Sequence, residues 1–543
     1  MKKCCLLLLI CTACAKQVPL TGGLKDIDPP VILTTVPANG SLNFQGQEIV
    51  LEFDEYIKED NLRSQLLITP RTSSTYKTKV NRNKITLSFE EPFDSATTYT
   101  LNFREGIKDI TESNVPDNLT FVFSTGDFLD SVSVSGKVRS LMTLEPQEDI
   151  TISMYQVDDS LTIFSGPPLY STKTLKDGSF SLRNVKYGTY LVYALSDANR
   201  NLKLESQDES YAFLPSSLLL SDSTSGLEFN LQTLDTRPIV LQNSRPVHSN
   251  FDLKFNKYLV DYQLLDSTIL LKSNLVESHK TLRIYKNDQV KDSLALRFQV
   301  RDSLSQKLDT TVYIKFQEST REPEKFTANL LLPSGGVNRR FTSMLVLTKP
   351  VDRINYDSIY FRFDSVTQIP LSPDAITLNY SGDLIELRVD MDSIFNQDTT
   401  LLRWENNFEF IIAKTGFISV EEDTLNQIVR ELIIKKPEEH GVLAGSIKTS
   451  YPSYTLQLID KNFKVIETQK SSESAQYAFR NVVPGDYSIR LLIDADNNGE
   501  WDPGNINESR LPEPVRLFFH PNVGSNTITI RANWEQNDVD LDF

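Results

Sequence analysis

"AQYAFRNVVPGDYSIRLLIDADNNG", residues 475–499, has an earlier counterpart in "GSFSLRNVKYGTYLVYALSDANRN", residues 178–201. At a constant offset of 297, Arg183, Asn184, Val185, Gly188, Tyr190, Leu195, Asp197, Ala198 and Asn201 meet identical residues. Their partners are Arg480, Asn481, Val482, Gly485, Tyr487, Leu492, Asp494, Ala495 and Asn498. The chain therefore contains an internal repeat, and the unit that repeats is built around strands and a glycine turn.

Outside the repeat the pattern is strand-like almost throughout. Leu51 and Phe53 alternate with Glu52 and Asp54, and Tyr99, Leu101 and Phe103 with Thr98, Thr100 and Asn102. Leu294, Leu296, Phe298 and Val300, then Val312, Ile314 and Phe316, follow the same rule. Period-two alternation places one face of a strand in a core and the other in water. Turn signals such as "PANG", "KDG", "NNG" and "PSGG" punctuate the runs, which argues for sandwiches rather than βαβ units. Brief helices are expected only around Glu59 to Leu67 and Asp392 to Gln397. The fold class is all-β, a tandem of β-sandwiches.

Five ordered motifs, "PPVILTTVPANG", "IVLEFDEYI", "TTYTLNF", "GIKDITESNVP" and "FVFSTG", fill residues 29–127. Together they resemble the bacterial Ig-like domain of the SbsA type. Pro29, Pro30 and Pro37 suit a leading edge strand, where a missing N–H does no harm. Both copies of the repeat, in 128–235 and 441–543, resemble the transthyretin-like, carboxypeptidase-regulatory-like sandwich. Its hallmark is a strand, a "P-G-x-Y" turn and a long second strand; Tyr187 stands at the proline position in the first copy. The stretch between them fits two divergent Ig-like sandwiches, 236–332 and 333–440. "LVLTKPVDRINYDSIYFRFD" is similar to the leading strands of the first domain, and a break is expected near Leu332.

The N-terminus, "MKKCCLLLLICTACAKQ", has a basic start and an apolar run shorter than the ~20 residues a membrane span needs. It reads as a signal peptide over 1–13. Thr12 and Ala13 before Cys14 resemble a bacterial lipobox, with Cys11 where leucine is usual. The resemblance implies lipidation of Cys14, a linker over 14–28 and attachment to a membrane through acyl chains. Ala15 after the cysteine resembles outer-membrane sorting in Gram-negative bacteria; the side faced stays open. All four cysteines lie in this segment, so disulfides, a thiol nucleophile and a cysteine zinc site are excluded from the rest. Net charge is −16, from 72 acidic and 56 basic residues without basic clusters, which argues against nucleic acid as a partner.

The most chemical-looking stretch closes the second repeat. Asp494, Asp496 and Asn498 stand two apart, Gly499 follows, and Glu500 and Asp502 keep the register. An EF-hand-type loop places oxygen ligands at positions 1, 3, 5, 7, 9 and 12 with glycine at 6. Position 12 is Asn505, a monodentate amide, so the loop reads either as a weak calcium site or as a tight turn with Asn and Asp in left-handed geometry. The first copy keeps the spacing at Asp197, Asn199 and Asn201 but has Leu202 for the glycine, which favours the turn.

Other chemistry is sparse. Trp501 is expected to pack beneath its own turn rather than stack on a sugar. The four histidines, His248, His279, His440 and His520, have no neighbour at metal-ligand spacing, and no phosphate-cradling or nucleophile-elbow motif occurs. Asp54 and Glu55 are adjacent, which on a strand points them to opposite faces and not toward one sugar. The expected role is a lipid-anchored, non-catalytic envelope protein acting as scaffold, spacer or protein-binding arm. Two alternatives stand beside it: a carbohydrate-binding or carbohydrate-processing lipoprotein, and an accessory subunit of an outer-membrane complex. The partners implied are the membrane and an envelope protein or polysaccharide.

Overall fold

The computed structural model describes residues 26–204, 209–265, 270–320, 322–332, 336–379, 381–405, 407–470, 475–519 and 524–543, with Pro437 by its backbone alone. The signal segment, Cys14 and His520 lie outside these residues. Two compact units are present. The first comprises the chain up to Val138 with Gln147–Lys203 and Ser217–Glu228; the second comprises Arg139–Pro146, Leu204–Ser216 and Phe229–Phe543. The chain is an all-β tandem of sandwiches.

In the first unit, one sheet runs in the order Ile32–Val36, Glu48–Phe53, Lys84–Phe89, Tyr76–Asn81, and a second in the order Leu67–Thr69, Thr98–Asn102, Thr120–Ser124. The alternation read from the sequence is the burial pattern: Ile49, Leu51 and Phe53 of one sheet meet Tyr99, Leu101, Phe121 and Phe123 of the other in one core. The "GIKD" turn has a physical reason. Asp109 is 1% exposed, and its carboxylate accepts from the backbone N–H groups of Glu112, Ser113 and Asn114 at 2.6, 3.0 and 2.7 Å. Asn114 in turn donates to the carbonyls of Asp26 and Asp28, fastening the entering chain. Burial opposes ionisation of Asp109, yet those backbone donors hold its carboxyl below the usual range.

The first copy of the repeat places Thr151–Gln156 between Tyr170–Lys173 and Gly188–Leu195, with Leu218–Leu220 also on Gly188–Leu195. Val132–Ser140 pairs with Ser179–Val185. Arg71 joins this sandwich to the Ig-like one: its N–H donates to the Leu169 carbonyl, and its guanidinium reaches the Pro167 carbonyl and Asp159 at 2.7 and 2.9 Å.

In the second unit, the sheet Leu241–Val247, Asn250–Phe255, Thr281–Ile284, Ser273–Val276 shares a core with the sheet Asp261–Leu264, Leu294–Arg301, Lys307–Ile314. Ala328–Leu331 pairs with Arg340–Leu347, and Phe326 and Leu330 belong to the core that also holds Leu345, Phe361, Ile385 and Phe410. The break expected near Leu332 is thereby corrected: the next sandwich already includes Phe326, and the Pro-Ser-Gly-Gly stretch of the sequence comes between Ala328–Leu331 and Arg340–Leu347, which pair with one another. The expected helices are single short segments, Leu62–Gln65 and Met391–Gln397, the latter capped by Asp390 accepting from the Asp392 N–H. The second repeat copy sets Gly485–Asp494 beside Ser453–Asp460 and Val515–Leu517, and Gly441–Lys448 beside Gln476–Val482. Among the described residues no helix is long and apolar enough to cross a membrane.

Candidate functional site

The long strand Gly485–Asp494 delivers Asp494 to the rim of the last sandwich, where it is 3% exposed. Its two oxygens accept from the N–H groups of Asn498 and Gly499 at 3.1 and 2.9 Å. Burial works against its charge, but the Ser453 hydroxyl and the backbone of Gly499, Asn498 and Asn497 hold the carboxyl below its ordinary value. Asp496 accepts from the Asn498 N–H at 3.1 Å, and the Asn498 amide donates to Asp496 and Asp502 at 3.3 and 2.8 Å. Asn497 and Gly499 take φ of 60° and 93°, left-handed values that asparagine and glycine adopt readily.

The turn is common to both copies. Asp197 accepts from the Asn201 and Leu202 N–H groups at 3.0 and 3.1 Å, the same i+4 and i+5 contacts that Asp494 makes. Arg200 and Leu202 sit at φ of 61° and 58°, so the first copy holds a leucine where the second has glycine. The stretch is therefore first of all a strand terminator that the fold uses twice.

The second copy adds an acid that spacing arguments missed. Glu513 accepts from the N–H groups of Ala495 and Asp496 through one oxygen, at 2.7 and 3.1 Å, and from the Asp502 N–H through the other at 2.8 Å. Carboxylate oxygens of Asp494, Asp496 and Glu513 lie within 4.8 Å of one another. The expected position-12 ligand, Asn505, is committed elsewhere: its side-chain oxygen caps the Ile506–Glu508 turn by accepting from the Asn507 N–H. Glu500 is exposed and stands outside the carboxylate group, and Asp502 is paired with Arg510 at 3.2 Å. An EF-hand shell with Glu500 and Asp502 as ligands is thus replaced by a three-carboxylate cluster closed from the segment that leads into Val515–Leu517. Its donors are all oxygen, which suits a hard cation such as calcium. The only local signal for Glu513 is the flanking Pro512 and Pro514.

The remaining candidates resolve as structural groups. Trp501 is half-buried and its indole N–H donates to the Glu513 carbonyl at 3.2 Å. Asp54 lies just past its strand and accepts from the Val31 N–H at 2.8 Å. Burial, with Asp109, Asp54, Asp26 and Glu112 nearby, pushes the Glu55 carboxyl up. His279 stacks on Tyr258 and His440 contacts the Lys436 carbonyl. A cavity of about 80 Å³ holds Asp252 and Glu277, but Arg283 binds the first at 2.8 Å and Lys254 the second at 3.4 Å.

Sequence reasoning also missed the joints between sandwiches within the second unit. Lys349 is 1% exposed as a residue and contacts Glu421 and Asp423 at 2.5 and 2.7 Å. Glu421 then accepts from the Asn250 amide of the preceding sandwich at 2.9 Å. Lys257, paired with the buried Asp302 at 2.6 Å, donates to the carbonyls of Asp235 and Arg237 at 2.6 and 2.7 Å, pinning the segment that enters that sandwich. Arg490 reaches the Met142 carbonyl at 3.2 Å, a contact within the second unit.

Residues 26–125 match the family model of the bacterial Ig-like domain. A curated relative, Colossin-A of Dictyostelium discoideum, is 25% identical over 226 residues, covering 34% of this chain and 2% of that protein. The chain thus spans a small fraction of that relative's length. Among solved structures, the major pilin subunit BcpA of Bacillus cereus is similar over 76% of this chain and 99% of its own, at 9% identity and a TM-score of 0.14. The N-terminal part of the bacterial S-layer protein SbsC is similar over 38% of this chain and 44% of its own, at 15% identity and a TM-score of 0.14.

Proposed function

We propose that this chain is a non-catalytic scaffold or spacer of the cell envelope, anchored in the outer membrane by acyl chains on Cys14, and that its work is to present surfaces to an envelope protein. The observation that carries this reading is the set of buried polar joints, Asn250–Glu421–Lys349 above all. A buried charge is costly unless it is paired, and here the pairing is spent on fixing one sandwich against the next. The match of residues 26–125 to an Ig-like domain family accords with a structural role, though fold alone does not define function.

The experiment has two arms. Metabolic labelling with a fatty acid should mark the full chain and fail to mark Cys14→Ser. Mild cross-linking on cells, followed by affinity purification, should then recover one envelope protein in fixed stoichiometry. Retention of polysaccharide in place of a protein would transfer the reading to carbohydrate binding, and an unlabelled wild-type chain would remove the anchor.

A second reading concerns the loop. The convergence of Asp494, Asp496 and Glu513 favours calcium as a structural ion that stiffens the end of the last sandwich at extracellular concentrations. The turn closes through its own hydrogen bonds, so the ion would add to a formed loop.

A further inference from the structure

The strand Lys307–Ile314 is the outer strand of its sheet and pairs with Leu294–Arg301 along all eight residues without a register shift. Leu265 donates to the Arg297 carbonyl opposite it, so odd-numbered residues of Leu294–Arg301 bond inward to Asp261–Leu264. Even-numbered residues therefore bond to Leu308, Thr310, Val312 and Ile314. It follows that Lys307, Asp309, Thr311 and Tyr313 aim their backbone N–H and C=O groups at the free edge. Tyr313 is 76% exposed, and Leu308 and Val312 pack only partly against the core.

Several other edges of the molecule carry a bulge or a proline, although Tyr76–Asn81 and Ile428–Leu432, like this strand, do not. Leu241–Val247 contains Pro246 and a bulge, Ile32–Val36 is bulged against its neighbour, and Val465–Lys470 meets a bulge at Leu458/Ile459. Prolines and bulges keep edges from pairing with other chains. Lys307–Ile314 has neither.

We propose that this edge joins the same edge of a second copy, antiparallel, with Thr310 on the two-fold axis. In that register Leu308 faces the partner's Val312 on the core side, where both half-covered side chains become buried. Lys307 faces the partner's Tyr313, a cation beside an aromatic ring, and Asp309 faces the partner's Thr311. Sliding by one step of the side-chain repeat either way is repulsive. One slip sets Asp309 against the partner's Asp309, and the other sets Lys307 against the partner's Lys315. Like charges directly opposite across strands destabilise a pair. The strand thus reads as self-complementary in a single register, and a second copy is the occupant it fits.

Cysteine placement tests the register in the full chain. Thr310 on the axis forms a non-hydrogen-bonded pair with itself, where Cα atoms stand about 4.5 Å apart, within disulfide reach. Thr310→Cys should give a reducible dimer under mild oxidation, at least several-fold above the unsubstituted chain. Thr311→Cys, displaced from the axis, should not exceed that baseline. Thr311→Pro removes one outward N–H without touching the internal ladder, and should abolish concentration-dependent dimerisation in analytical ultracentrifugation while leaving the melting profile of the monomer. Equal cross-linking at 310 and 311, a dimer that survives Thr311→Pro, or a chain that stays monomeric at every concentration with no disulfide at 310, each overturns the proposal.

Discussion

Gly445 lies beneath the carbonyl oxygen of Val539 so closely that a Cβ built on it would stand 2.0 Å away. Gly136 has the same relation to Leu227, at 2.1 Å. In both copies of the repeat, the first strand must admit the backbone of a later segment of the same sandwich, and only glycine leaves the room. The obstacle is backbone, which cannot rotate aside as a side chain would.

Gly445→Ala is therefore expected to lower the melting temperature of the last sandwich, with a cost at or above the ~1–3 kcal/mol typical of overpacking. Differential scanning calorimetry on the full chain would show one transition moving down while the others hold. Tyr487→Phe makes a graded comparison. Its hydroxyl donates to the Val483 carbonyl at 2.8 Å, as Tyr190 does to Lys186 at 2.9 Å, and losing one such bond costs about 1 kcal/mol. A larger effect from Tyr487→Phe than from Gly445→Ala would show that the turn tether, not the close approach, holds this sandwich.

Lys349→Met should be strongly damaging in the second unit. It leaves Glu421 and Asp423 without the ammonium that both contact, and breaking a buried pair from one side costs ~3–5 kcal/mol. Adding Glu421→Gln and Asp423→Asn to Lys349→Met removes the stranded charge and should recover most of the loss. If the triple variant is no more stable than the single one, the joint works by shape rather than by charge.

Acid should loosen both ends of the chain. Asp109 and Asp494 have folded-state pKa values below the ordinary aspartate value, because backbone N–H groups bind the charged forms against the opposing effect of burial. A depressed carboxylate contributes stability that is complete above the unfolded pKa and is lost as pH falls through the folded one. Melting temperature should accordingly be flat with respect to these groups above about pH 5 and fall below about pH 4. Asp109→Asn and Asp494→Asn should each flatten part of that fall. An unchanged acid limb in both variants would detach the two carboxylates from stability.

What was legible in the sequence was local. Period-two alternation gave Leu51, Phe53, Tyr99 and Leu101 their places because a strand's burial is decided by its own next-nearest neighbours. The repeat was legible because Asp197 and Asp494 bond to their own chain four and five residues on. Contacts between distant segments left no such trace. Asn250 and Glu421 are 171 positions apart, and each looks like an ordinary surface polar residue in its own context. The boundary expected near Leu332 is displaced for a related reason: a Pro-Ser-Gly-Gly sequence reads the same whether it separates two sandwiches or links two strands of one.

Glu513 is the residue on which the calcium reading turns. It follows Asp494 by 19 positions, well outside any loop-ligand spacing, yet its carboxylate sits with those of Asp494 and Asp496. Asp494→Ala alone cannot separate metal from turn, since Asp494 also binds two backbone N–H groups. Asp496→Asn keeps an acceptor for the Asn498 N–H while removing one charge from the cluster. With a dissociation constant of ~10⁻⁴–10⁻³ M, as in extracellular modules, about 10 mM calcium should stabilise the wild type by roughly 1–3 kcal/mol. Asp496→Asn should melt like the wild type in chelator and lose most of the calcium-dependent rise, and Glu513→Gln should also lose that rise. Should wild-type melting curves in calcium and in chelator coincide, the three carboxylates serve only to tie the turn to the strand that follows it.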